Sequence, residues 1–172
     1  MKTSNPVRIA LYLLAFTIVW ILFQHAMGFN TTRHDIGQYT RMVTMIVFWV
    51  AIFVVVKNER RNRGSITFIE GWKAGLISSL IYCIGFTIFI FFYQKFINPE
   101  FYPTFKEYTL NQMQMQHATQ QQIDAKMNEI DMSFNGLAIS FVMLFVFSLM
   151  LGMVISAIAA LVYRSKKVAN PA

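Results

Sequence analysis

Four long apolar runs dominate the chain, at about residues 9–28, 39–56, 74–93 and 136–163. A helix needs ~20 residues to cross a bilayer core, so each run predicts a transmembrane helix. The second run is short, and the fourth is long enough to tilt or project beyond the lipid. One sizeable polar segment, 96–135, separates the third run from the fourth. Asn98-Pro99 and Tyr102-Pro103 are expected to end the third helix, because the residue before a proline is biased away from helix. Phe96, Phe101, Tyr102 and Phe105 suit an aromatic belt at the membrane surface. Beyond them, 107–115 predicts one short helix. A second opens at a Thr119–Gln122 capping box and carries Ile123, Met127, Ile130 and Phe134 on one face. The pattern is that of an all-α, polytopic membrane protein: one domain of four transmembrane helices, with a short helical hairpin between the third and fourth. The stripe Ile123, Met127 and Ile130 is expected to lie on the bundle, on the membrane or on a partner.

Composition strengthens this picture. Apolar residues make up 56% of the 172 and charged ones 13%, against ~25% charged in an ordinary soluble domain. Charge then orients the spans. Lys2, Arg8, Lys57, Arg60, Arg61, Arg63, Lys73, Arg164, Lys166 and Lys167 fall on one side with two acids, Glu59 and Glu70, a net of +8. The other side sets five basic residues against six acids, a net of −1. The positive-inside rule places both termini and the 57–73 loop in the cytoplasm, and the 29–40 loop and 96–135 outside. The +7 total therefore reads as orientation and attraction to anionic lipid headgroups, chiefly at Arg60, Arg61, Arg63 and Lys73, and not as nucleic-acid binding. The first run is too long for a signal peptide and carries Trp20 near its middle, so it is read as a retained span.

Two patterns are not forced by hydrophobicity. Gly71, Gly75, Ser79, Cys83 and Thr87 recur every four residues in the third run. Ser148, Gly152, Ser156 and Ala160 do so in the fourth, with Gly136 and Ser140 further out. Small residues at this spacing let helix backbones approach closely in lipid. The third and fourth helices are expected to cross through two or three members of each ridge, since such a ridge drifts ~40° per step; the competing expectation is an oligomer contact. The stretch TFIEGWKAG opens the third run. Thr67 and Glu70 suit a capping box, Trp72 the interface, and Lys73 a snorkelling position paired with Glu70. Glu70, Trp72 and Lys73 are also candidates for contact with lipid or a partner.

Candidate chemistry is sparse. No Asp, Glu, Lys, Arg or His lies within 9–24, 42–56, 74–93 or 136–163, which weighs against a proton-coupled pump. Gln24 and His25 lie near the outer end of the first span, where a helix-end His at the interface is expected and a polar vestibule is the alternative. Met113, Met115 and His117 have soft-metal ligand types, but in a helix only Met113 and His117 share a face. His34-Asp35 lacks a third catalytic partner. Asn30-Thr31-Thr32 matches a glycosylation acceptor. Cys83 is the lone cysteine, so no internal disulfide forms. No catalytic, cofactor or metal residue is assigned.

The combination of four spans, ITFIEGWKAGLISSLIY at the third, FINPEFYPTF after it, QQQIDAKMNEID, LGMVIS in the fourth span and a closing RSKK resembles the domain-of-unknown-function 4199 family of bacterial membrane proteins, common in the Bacteroidetes. The resemblance implies a bacterial inner-membrane location and supplies no activity. The expected function is a non-enzymatic accessory or scaffold subunit, working with a membrane protein partner or as a homo-oligomer. The alternative is a small oligomeric transporter or pore lined by Gln24, Ser78, Ser79, Thr87, Ser140, Ser148 and Ser156.

Overall fold

In the computed structural model, residues 5–134 and 137–165 are described. They form six α-helices: α1 Asn5–Ala26, α2 His34–Arg63, α3 Phe68–Phe92, α4 Phe101–Met115, α5 Gln120–Phe134 and α6 Leu137–Tyr163. A π-helical turn, Tyr93–Ile97, ends α3. The four helices α1, α2, α3 and α6 are long and apolar enough to cross a membrane, which makes this a multi-pass membrane protein. Gly136, Lys2, Lys166 and Lys167 lie outside the described residues.

The helices α1, α2, α6 and α3 pack in a ring, with α2 and α3 also meeting across it. Leu13, Phe48, Ile52, Tyr82, Cys83 and Ile155 form the main core cluster. Bulky residues such as Val19, Ile46, Ile88, Phe147 and Val154 stay on the outside, as a lipid-facing surface requires. The Thr17 hydroxyl meets the Tyr82 hydroxyl at 3.3 Å between α1 and α3. Trp20 Nε1 donates to the Thr40 carbonyl at 3.2 Å. The carboxyl end of α6 is tied to the α2–α3 loop: Ser165 N–H donates to Ile66 O at 2.9 Å, and Ile66 N–H to Ser165 Oγ at 3.1 Å.

Several boundaries differ from the hydrophobic pattern. The second helix runs from His34 to Arg63, well past the apolar stretch 39–56 at both ends. Lys57 to Arg63 is therefore helical, and only 64–67 forms the loop. Polar residues extend a helix freely once it leaves the hydrocarbon, because water can satisfy its exposed groups. Tyr102-Pro103 does not break structure; it begins α4, with Pro103 in the first turn. Proline is tolerated there because the first N–H groups of a helix lack intrahelical partners in any case. Gly37 allows the 27–33 turn to close on α2, since a Cβ there would stand 2.0 Å from Phe29 O.

The α4 and α5 helices pack on one another. Phe134 lies against Phe101 and Tyr102, while Lys106 pairs with Asp131 at 2.5 Å and Tyr102 donates to the same carboxylate. The α5 cap forms as its spacing predicts: Thr119 N–H donates to Gln122 Oε1 at 2.9 Å, and Gln122 N–H to Thr119 Oγ1 at 3.4 Å.

Candidate functional site

The α3–α6 pairing is the most extensive in the molecule, and its register follows the two ridges of small residues. A Cβ on Gly71 would stand 3.2 Å from Ala160 Cβ, and one on Gly75 2.7 Å from Ser156 Cβ. One on Gly152 would stand 2.7 Å from Ser79 Cβ. Both Ser79 and Ser156 are fully buried, and the Ser156 hydroxyl donates back to Gly152 O at 2.6 Å. Three members of each ridge thus form the seam. Ser148, the next member on α6, lines a cavity.

That cavity, about 360 Å³, is the principal candidate site. It lies at the bundle end nearest α4, among the last turns of α1 and α3, the start of α2 and the first half of α6. Its apolar wall includes Ile21, Met45, Phe86, Ile90 and Leu151. Its polar groups include Gln24, Asn30, Tyr93 and Gln94, near or between helix ends, and Arg41, two turns inside α2. Asn98 Nδ2 fastens this rim, donating to Asn30 O at 2.9 Å and Tyr93 Oη at 3.2 Å. Tyr93 Oη also meets His25 Nδ1 at 3.3 Å. A π-turn places one extra residue in the helical cycle and recurs at functional sites; here it carries Tyr93 and Gln94 to the cavity.

Two cavity residues are unusual. Gln24 is 1% exposed, and its Nε2 is buried without a hydrogen-bond partner. Arg41 Nη1 is likewise buried and unpartnered. The Arg41 guanidinium lies over the rings of Phe101 and Phe105, 5.9 and 5.8 Å from their centroids. Among the described residues no carboxylate forms an ion pair with it. An aromatic face attracts a cation but does not accept its N–H groups in the planar fork a carboxylate or phosphate would fill. Gln24 is thus buried on the cavity wall, and the turn after Ala26 returns to its backbone: Phe29 N–H donates to Gln24 O at 2.9 Å.

The remaining candidates have structural places. Thr67 and Glu70 form a reciprocal capping box: Glu70 N–H donates to Thr67 Oγ1 at 3.3 Å, and Thr67 N–H to Glu70 Oε2 at 2.8 Å. The pairing partner of Glu70 is Arg63, at 3.4 Å, in place of Lys73, because α2 continues far enough to bring Arg63 over the α3 start. Trp72 Nε1 reaches the Met153 carbonyl at 3.3 Å and so joins α3 to α6. Arg60, Arg61, Arg63 and Lys73 are exposed. Ile123 and Ile130 are 9% and 4% exposed and Met127 is half-buried, so the α5 stripe is turned into the protein. This agrees with the expectation that the stripe packs on the protein itself.

His34 is also buried, bonded through Nε2 to Thr104 Oγ1 at 3.0 Å and surrounded by Phe101, Phe105 and Tyr108. It docks α4 on α2 and does not form an exposed pair with Asp35. Asn30 is 4% exposed, which leaves its side chain inaccessible as a glycosylation acceptor. Met113 and His117 line one surface hollow, while Met115 is 67% exposed. Among the described residues, no group of three or more His, Cys, Asp or Glu could hold a metal ion.

The chain belongs to the family described as Protein of unknown function (DUF4199), whose model matches residues 8–165. No curated protein and no solved structure matches it.

Proposed function

We propose that this chain is a non-enzymatic accessory protein of the bacterial inner membrane that works by holding a small molecule in the cavity beside Arg41 and Gln24. The carrying observation is a mostly apolar chamber with two buried polar groups whose donors are unsatisfied. Ligand sites commonly combine an apolar wall with a few convergent polar groups, and this volume is at the small end of the usual ~300–1,000 Å³. The polar lining favours binding over catalysis. It offers amides, hydroxyls and a guanidinium, but no carboxylate, imidazole or thiol to act as a proton acceptor near neutral pH.

The charge asymmetry supports cytoplasmic termini and, with them, a cavity in the outer half of the membrane. Exposed Arg60, Arg61, Arg63 and Lys73 then face the anionic cytoplasmic leaflet. A reporter at the C-terminus that works only outside the cytoplasm is expected to stay inactive.

Native mass spectrometry of protein purified in mild detergent tests the binding reading. The expected result is a stoichiometric small-molecule adduct that Ser148→Phe removes. Absence of any adduct, together with solute flux in liposomes that Ser148→Phe blocks, would replace this reading with that of a pore.

A further inference from the structure

We infer that the cavity takes a single-chain amphiphile with an anionic head, the head held by Arg41 and Gln24 and the hydrocarbon lying along Ile21, Phe86 and Ile90. This rests on the binding reading above and specifies its chemistry. The argument begins with charge. Arg41 stands two turns inside α2, within a helix suited to cross the membrane, and Nη1 is removed from solvent with no acceptor. Arg41 as a whole is only partly buried, but a cation on the wall of a largely apolar cavity is usually paired. Among the described residues no ion pair neutralises Arg41, so the complementary charge is expected on a ligand.

The shape of the donor set narrows the head. A guanidinium presents parallel N–H groups that match the two oxygens of a carboxylate or phosphate. Gln24 Nε2 adds a further buried, unpartnered donor on a residue of the same cavity wall. A cation ligand would meet Arg41 as a like charge, and a pure hydrocarbon would leave both donors unsatisfied, which costs more for the charged one.

Volume narrows the body. About 360 Å³ corresponds to the share of roughly a dozen water molecules at ~30 Å³ each. One medium-length alkyl chain fits this space, and the two chains of a phospholipid together do not. The apolar wall leaves little polar surface for a sugar or nucleotide.

The test uses the full chain in zwitterionic nanodiscs and a decanoate analogue carrying a photoreactive diazirine. Labelling is expected to saturate and to map to peptides containing Ile21, Phe86 or Ile90. Unlabelled decanoate or decyl phosphate should compete, and the stronger competitor identifies the head as carboxylate or phosphate; decanol should compete at least about tenfold less well. Arg41→Met should reduce labelling by about tenfold or more, Arg41→Lys by less, and Gln24→Leu by an intermediate factor. Equal competition by decanol would overturn the anionic head while leaving a hydrophobic binding site. A parallel uncharged decyl diazirine probe separates the other failure: if neither probe labels the cavity peptides saturably, the binding reading itself falls. The wild-type competition order decides the matter even if a variant fails to fold.

Discussion

Between residues 71 and 79, α3 lies against 152–160 of α6, with glycine facing alanine or serine at each step; further along, the same two helices flank a cavity lined by Tyr82, Phe86 and Ile90 from one and Ser148 and Leu151 from the other. The difference shows what sets helix spacing in lipid. Hydrophobicity does not draw apolar helices together there, so side-chain size and dispersion decide how near they come. Small residues close the seam. Beyond it the ridges rotate out of register, and bulky rings take over, including the edge-to-face contact of Phe91 with Phe141 at 5.2 Å. The closed end supplies rigidity, and the open end can spend it on holding polar groups that the chain itself leaves unsatisfied.

The largest expected effect comes from attacking the closed end. Gly75→Leu and Gly152→Leu force a side chain into positions where even a Cβ would lie within 2.7 Å of a facing serine. Each should lower stability by about 3 kcal/mol or more, the upper part of the overpacking range, measured by thermal unfolding in detergent. Ser148→Leu, on the cavity wall, should change stability by less than ~1 kcal/mol because the added groups have room. Equal losses at Gly75 and Ser148 would erase the distinction between the two ends.

A second substitution should have the opposite sign. Arg41→Met removes a partly exposed guanidinium whose Nη1 is buried without a partner, and keeps an apolar stem against Phe101 and Phe105. In protein freed of small molecules it is expected to raise stability by about 1–3 kcal/mol, the usual cost of a buried group without a partner. A clear drop in melting temperature would mean that the aromatic contacts already compensate the guanidinium.

The two ends were unequally legible in the sequence. The seam rests on a spacing of four in small residues, and that spacing survives intact in the structure. The four membrane helices were legible for the same reason, as long apolar runs. The cavity was hidden by an edge effect: Arg41 precedes the apolar run that begins at Met42, yet the helix begins at His34, which carries Arg41 two turns inward. Gln24 and Asn30 likewise stood at run ends, where water is the natural expectation. A usable signal was present in the gathering of Gln24, Asn30, Arg41 and Gln94 at the same end of three successive spans. The first turn of α4, which meets Phe134 of α5, was disguised by the prolines at 99 and 103.

A smaller effect is expected where the closed end meets the loop. Thr67→Ala deletes the acceptor for Glu70 N–H at the start of α3 and should cost about 1 kcal/mol. Because the helix continues into the seam, the loss should be seen in thermal unfolding without a change in detergent-solubilised size. Disruption of the α3–α6 contact by this variant would show that the cap, and not the small residues, governs the closed end.

The finest distinction is one of pH, and it belongs to the helices beside the open end. Hydrogen bonds from Lys106 and then Tyr102 hold the Asp131 carboxyl below its ordinary value, while the bond to Asp131 holds the Lys106 ammonium above its own. A lowered carboxyl contributes stability that is fully present above the unfolded value of ~3.9 and is lost as pH falls through the folded value beneath it. The raised ammonium contributes stability that is present below ~10.4 and is lost as pH climbs through its higher folded value. Hydrogen exchange should therefore show α4 and α5 loosening first at both extremes, with the α3–α6 seam unchanged because it contains no ionisable contact. Asp131→Asn should flatten the response in both limbs. Simultaneous loosening of the seam would mean that the two ends of the molecule are energetically coupled, and that α4 and α5 transmit their state to the bundle instead of only covering its open end.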